Sequence, residues 1–325
     1  MKFFKGFFVF FLASGLTSCI SSRFIDIQVL NPSSVELPSN ITLHIVEPQN
    51  VDSEYRILLR DTSLNQSYFC KLLIHNFDST IVNHLEESPM FGNSKIVFQS
   101  EREFQKEMAT QALAENKNHV LMSIDKLDLI ENKIFVDYDQ WNFEYLASYS
   151  FYYKFKVELR NIGNDRIYNT FTFSDTLTWN SSSYDKDLLG NDLPPTPQAI
   201  VEIGQIAGER YAEKIAPFWT TEERMLFYGN NRYLRKGYNQ FTVNDLNGAI
   251  QTWEHLYEVG TPLLASIAAH NIGLMYEMLD DFDSSELWLN NSLKAKYHFA
   301  TEAYLDRIKE RKAGRGKLDK EMMNP

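Results

Sequence analysis

The side chains able to do chemistry are few in type and scattered in spacing. Two cysteines occur in 325 residues, Cys19 and Cys70, with seven histidines, His44, His75, His84, His119, His255, His270 and His298. A thiol can be acylated, oxidised or bound to a metal. Two are too few for a disulfide framework, and neither has the nearby partners that a structural zinc site needs. The histidines show no metal-ligand spacing, and there is no Gly-rich phosphate loop, no G-x-S-x-G elbow and no H-E-x-x-H. Acids such as Asp125, Asp128, Asp137 and Asp139 are the type from which a glycosidase pair is built. Such pairs meet in space, however, and among 43 Asp and Glu a pair of candidates has no weight. The sequence therefore assigns no catalytic, cofactor-binding or metal-ligating residue, and the chain reads as a non-enzyme that needs no cofactor.

Cys19 differs from Cys70 in its context. Lys2 and Lys5 precede the apolar run Phe7-Phe8-Val9-Phe10-Phe11-Leu12, which ends in Ala13-Ser14-Gly15. The run is about half the ~20 residues of a membrane-spanning helix, so residues 1–18 read as a signal peptide. Leu16-Thr17-Ser18-Cys19 resembles the lipobox of bacterial lipoproteins. That resemblance implies cleavage before Cys19 and acylation of its sulfur. Several acyl chains, at about 0.8 kcal/mol per buried methylene, would hold the protein at a membrane without any spanning helix. Ile20-Ser21-Ser22-Arg23 has neither the aspartate of inner-membrane retention in enterobacterial lipoproteins nor the acidic cluster of surface export in Bacteroidetes, which implies the periplasmic face of the outer membrane. Asp78-Ser79-Thr80 and Asp175-Thr176-Leu177 look like glycosylation sites of exported proteins in that phylum.

Composition sets the elements that must position these residues. The chain is 44% hydrophobic and 14% aromatic, a folded profile, and its length suits two ordinary domains. A formal net charge of -11 sets a repulsive baseline against phosphate backbones and anionic membranes, so nucleic acid is not an expected partner. Phe24 to Val29 and Ile41 to Ile45 alternate apolar and polar residues and predict two opening strands. Cys70, Leu73, Ile74, Phe77, Ile81 and Leu85 recur at helical steps, which makes Cys70 a buried hydrophobe and ends a helix before Pro89. A second helix is expected from Glu101 to Glu115. From Ser148 to Arg160 apolar residues take every odd position, and the pattern resumes from Ile167 to Trp179 after a turn at residues 161–165: a long hairpin. A third amphipathic helix runs from about Ile200 to Ile215 and is stopped by Pro217. Together these predict an α+β domain over residues 19–225, mostly antiparallel sheet with packed helices.

The C-terminal third has another period. Asn271-Ile272-Gly273-Leu274-Met275-Tyr276, Asp280-Asp281-Phe282 and then Ser285, Leu289 and Ser292 resemble a tetratricopeptide repeat. Thirty-six residues earlier Gly237, Ala249 and Trp253 hold equivalent places, with Gln240 where an aromatic is usual. Residues 226–312 are therefore expected to be all-α, two such repeats plus a capping helix from about Phe299 to Lys312, followed by a basic flexible tail over 313–325. In a peptide groove the floor would be Leu234, Tyr238, Phe241, His270, Leu274 and Glu277. Leu234 stands where carboxylate-clamping repeats carry lysine, which argues against such a clamp. As a whole the chain is similar to Bacteroidetes outer-membrane lipoproteins with C-terminal tetratricopeptide-like repeats. The resemblance implies a lipid-anchored, periplasm-facing scaffold or assembly factor that binds an envelope protein. The alternative is a glycan-binding component of a nutrient-uptake system, with a glycan-active enzyme third.

Overall fold

A computed structural model describes residues 20–35, 37, 40–48, 54–88, 95–109, 118–132 and 134–323. Cys19 and the signal segment lie outside them, as do Pro89 and the expected end of the second helix. In chain order the elements are β1 (Ile20–Asn31), β2 (Thr42–Glu47), β3 (Tyr55–Leu58), α1 (Gln66–Glu87), β4 (Lys95–Ser100), α2 (Glu101–Ala109), β5 (His119–Glu131), β6 (Phe135–Asp139), β7 (Glu144–Asn161), β8 (Ile167–Ser183) and α3 (Thr196–Ile215). There follow β9 (Phe218–Gly229), α4 (Arg232–Thr242), α5 (Leu246–Val259), α6 (Pro262–Met278), α7 (Phe282–Ala295) and α8 (Phe299–Met323). The class is mixed α+β with a helical C-terminal region. Two compact units divide the chain: Leu30–Phe218 with Gly316–Pro325, and Met1–Val29 with Trp219–Arg315.

The first unit is a seven-stranded sheet with helices on it. Its longest ladders, β5 with β7 and β7 with β8, are antiparallel, as the alternating residues require. The sheet is nonetheless mixed, because β2 pairs in parallel with both β4 and β5, and β3 pairs in parallel with β5. Tyr149, Phe151, Tyr153, Phe155, Val157 and Leu159 are all buried, so the odd face of β7 is core. The hairpin turns through Asp165 at φ +55°, a value Asp tolerates. Helix α1 starts where the Asn65 side chain accepts from the Tyr68 amide and buries Cys70, Leu73, Phe77 and Ile81. Phe77 stacks on Phe155 with ring centroids 4.5 Å apart, and Phe155 on Phe173 at 5.5 Å, one aromatic column through helix and hairpin. Helix α3 crosses α1 at Gly204 and Gly208. A Cβ on Gly208 would fall 2.5 Å from the Phe77 carbonyl oxygen.

In the second unit the two helix pairs repeat at 36 residues in detail. Asn244 and Asp280 both turn with positive φ, and Asp245 and Asp281 then cap their helices by accepting from the amides of Gly248 and Ser284. Cβ atoms on Gly237 and Gly273 would collide with Trp253 and Leu289, the equivalent large residues of each second helix. Strands β1 and β9 form a separate two-stranded ribbon in this unit.

Two expected boundaries move. β1 does not open the sheet domain, since its partner is β9, a strand that the run Glu222-Glu223-Arg224 hides from an alternation count. The segment 313–325, read as a flexible tail, is helical through Met323 because α8 continues past Lys312. Within the sheet unit Leu318 is buried, the Ser33 hydroxyl donates to the Glu321 carboxylate at 2.7 Å and Lys317 donates to the Ser33 carbonyl.

Gly208→Ala and Gly316→Ala should shift stability in opposite directions. Forcing a methyl against the Phe77 carbonyl costs about 1–3 kcal/mol, more than the ~1 kcal/mol of helix propensity it gains. A methyl on Gly316 would meet nothing within 4 Å, so there alanine should stabilise by about 0.5–1 kcal/mol. Urea midpoints that move the same way would contradict the close α1–α3 crossing.

Candidate functional site

Helix α6 is apolar on all sides, so it must be covered all round, and its few polar residues need polar partners. Three of them, His270, Asn271 and Glu277, receive those partners from β9 and α8. The Asn271 side chain accepts from the Phe227 amide at 3.0 Å and donates to the Phe227 carbonyl at 2.8 Å, pairing with β9 as a neighbouring strand would. His270 lies 3.0 Å from the Met225 carbonyl through Nε2 and 2.9 Å from the Thr301 hydroxyl through Nδ1. A carbonyl can only accept, so Nε2 carries the proton and Nδ1 accepts from Thr301. Burial, with the nearby His298, lowers the His270 pKa to about 4 against the pull of the Met225 carbonyl, and the ring is neutral.

Glu277 is fully buried at the far end of α6. Arg224 of β9 grips it through Nε at 3.0 Å and Nη2 at 2.8 Å, and Arg311 and the Tyr304 hydroxyl of α8 also donate to it. Burial works to raise its pKa, but the hydrogen bonds and charges of Arg224, Tyr304 and Arg311 outweigh it and hold the carboxyl below the usual range. Glu222 takes a second side of Arg224 at 2.7 Å, and the Arg311 guanidinium lies 4.7 Å over the Phe282 ring. Burial and the adjacent carboxylate push the Tyr304 phenol well above its ordinary pKa, so it stays a donor.

The six expected floor residues fall into this arrangement unequally. Leu234 and Leu274 are buried in the apolar core of the helix pairs, and the Leu234 carbonyl accepts from Trp253. Tyr238 accepts from Arg23 of β1 at 2.7 Å and lies 5.4 Å from the Tyr228 ring of β9, with Phe241 half-buried beside it. With His270 on Met225 and Glu277 on Arg224, the face that would hold a peptide is filled by the chain's own ribbon and α8. Arg224, Tyr304 and Arg311 escape sequence reasoning, and Asn271 enters it only as part of the repeat motif, without its pairing to Phe227. The one available signal is an apolar helix carrying His, Asn and Glu, which demands partners without naming them.

Other chemistry-bearing residues lie in the sheet unit. His44 Nε2 meets His119 Nδ1 at 2.8 Å, and burial followed by the His119 charge lowers the His44 pKa to about 4. Burial raises the Cys70 thiol to about 12, which makes it inert packing. Asp78 is buried on α1, Ser79 is helical and Thr80 faces Gly208, so that triplet offers no open loop for a glycan, whereas Thr176 is exposed on β8. Among the described residues no group of three or more His, Cys, Asp or Glu is arranged to hold a metal ion.

The buried network sets the response to substitution and acid. Glu277→Gln removes the buried carboxylate between Arg224 and Arg311, leaving Arg224 only the half-exposed Glu222, and should cost about 3 kcal/mol of unfolding free energy in urea. Folded His270 stays neutral down to about pH 4, while an unfolded histidine binds its proton near 6.5. Between those values unfolding takes up a proton, so stability falls with falling pH by about 3 kcal/mol on this account. Glu277 acts in the same sense: its contribution is present above the unfolded carboxylate pKa and is lost as pH falls through its lower folded value. His44 titrates in the same window as His270. His270→Gln should therefore reduce the slope of stability against pH between 4 and 6.5 by one proton, and an unaltered slope would place His270 in water.

Two family models match parts of the chain: Domain of unknown function (DUF8603) over residues 81–227 and Domain of unknown function (DUF6340) over residues 235–310. No curated protein matches. Among solved structures, a putative neuraminyllactose-binding hemagglutinin homolog from Helicobacter pylori is 11% identical, covers 56% of this chain and 92% of its own, and gives a TM-score of 0.31. The PelC dodecamer from Paraburkholderia phytofirmans is 11% identical over 60% of this chain and 99% of its own, with a TM-score of 0.25. Lipoprotein GNA1162 from Neisseria meningitidis is 11% identical over 53% and 98%, with a TM-score of 0.16. Likeness at this level carries no assignment of activity.

Proposed function

We propose that the chain is a lipid-anchored protein of the bacterial cell envelope, acylated at Cys19, whose tetratricopeptide-like helix pairs act as a binding scaffold for another envelope protein. A helical array usually binds through its first-helix face, but here β9 and α8 fill that face, and the polar groups there already have partners. The docking surface must therefore lie at the turns. The observation that carries this reading is a recurrence of exposed apolar side chains at the 36-residue period: Val243 and Leu279 after the first helix of each pair, 74% and 44% exposed, and Leu263 and Phe299 at the next junction, 38% and 74% exposed. Solvent gives no reason for apolar residues to repeat at equivalent exposed positions, whereas a partner contacting both repeats does. No helix among the described residues is long and apolar enough to cross a membrane, so attachment in this reading falls to the lipid on Cys19.

Two measurements test the halves separately. Cys19→Ser should abolish fatty-acid labelling and release the protein from the membrane fraction; a labelled or membrane-retained variant would sink the anchor. Cross-linking of the native protein in membranes should recover one defined partner, and the pair Val243→Asp and Leu279→Asp should lose it with the urea midpoint unchanged, because both side chains are exposed. Recovery that survives those substitutions would remove the turns from the interface.

A further inference from the structure

The helical unit carries a cationic surface on an acidic chain. Arg232, Arg235 and Lys236 stand at i, i+3 and i+4 on α4, and all three are exposed on the side away from the buried Leu234 and Gly237. Arg23 adds a fourth charge. It lies on the same side of β1 as the buried Ile25 and Ile27, facing the helices, and its guanidinium donates to the Tyr238 hydroxyl of α4 at 2.7 Å. Asp26, at the opposite parity on β1, faces the other way. None of the four cations forms an ion pair among the described residues, although the formal net charge of the chain is -11.

Position identifies the partner. β1 is already a strand at Ile20, the residue that follows Cys19 in the chain. At about 3.3 Å per extended residue, the four steps from Cys19 to Arg23 can span no more than ~13 Å, comparable with the ~10 Å screening length in moderate salt. An acyl group on Cys19 would bring this end of the ribbon to headgroup depth.

We infer that Arg23, Arg232, Arg235 and Lys236 form a surface that rests on anionic lipid headgroups. Each guanidinium or ammonium lies against phosphate, and the Tyr238 ring between β1 and α4 suits the boundary of polar and apolar phases. The acidic remainder of the chain opposes nucleic acid and anionic lipid alike; what favours lipid is the place of Arg23, four residues from Cys19, and a second copy would have to supply an acidic face in register. The inference rests on the proposed acylation of Cys19 for the choice of lipid and the orientation, whereas the vesicle experiment measures binding without it.

The test uses residues 20–325, which include every described residue and carry no lipid. This chain should sediment with vesicles of phosphatidylglycerol and phosphatidylcholine, not with phosphatidylcholine alone, and high salt should release it. Changing Arg232, Arg235 and Lys236 together to Gln should weaken binding about 100-fold, with the circular dichroism spectrum unchanged. The same loss of charge at Arg102, Arg166 and Lys186, exposed residues of the sheet unit, should leave binding intact. Equal loss in both triple variants, binding to phosphatidylcholine alone, or sedimentation without vesicles would overturn the proposal. Fatty-acid labelling of the full chain separates the two readings. Label without vesicle binding removes the cationic surface and keeps the anchor; vesicle binding without label does the reverse.

Discussion

A carboxylate held wholly out of water organises the helical unit. Taking an ion from water into a protein interior costs several kcal/mol even after relaxation, and Glu277 recovers that only because Arg224, Arg311 and Tyr304 all donate to it. These donors come from β9 and α8, so satisfying one side chain of α6 fixes which face of the ribbon turns inward and how α8 lies. Asn271 and His270 repeat the device toward the N-terminal end of α6, pairing with the backbone of Phe227 and Met225. A hydrophobic seam alone would let β9 slide by two residues at little cost. These polar contacts each accept one register.

What the sequence reveals depends on how locally each contact is decided. The face of β7 is set by strict alternation, and α1 by three and four residue steps, because burial of one side is a property of neighbouring residues. The helix pairs are legible for the same reason: Gly237 with Trp253 and Gly273 with Leu289 are size complements written twice at one spacing. The parallel pairings of β2 with β4 and β5 join segments that no local pattern connects. β9 is harder still, since three charged residues in a row break its alternation, and one of them, Arg224, is buried for a partner 53 positions away. A sequence can show that Glu277 needs a cation, but topology chooses which.

The need to cover α6 explains why an expected groove became an interior. Leu234, His270, Leu274 and Glu277 match the positions that line a peptide channel in a repeat array, and in this chain they are buried. Two helix pairs are fewer than the three or more that such arrays generally need to cover one another's apolar surfaces. The missing burial has to come from elsewhere, and the ribbon with α8 supplies it: Ile25, Ile27, Val29, Leu226 and Phe227 on one side, Tyr304, Leu305 and Ile308 on the other, all in one apolar cluster with the helix pairs. Stability and an open groove are therefore competing uses of the same surface. In an array this short, closing the face secures the fold and leaves only the turns and the outer helix faces open to solvent.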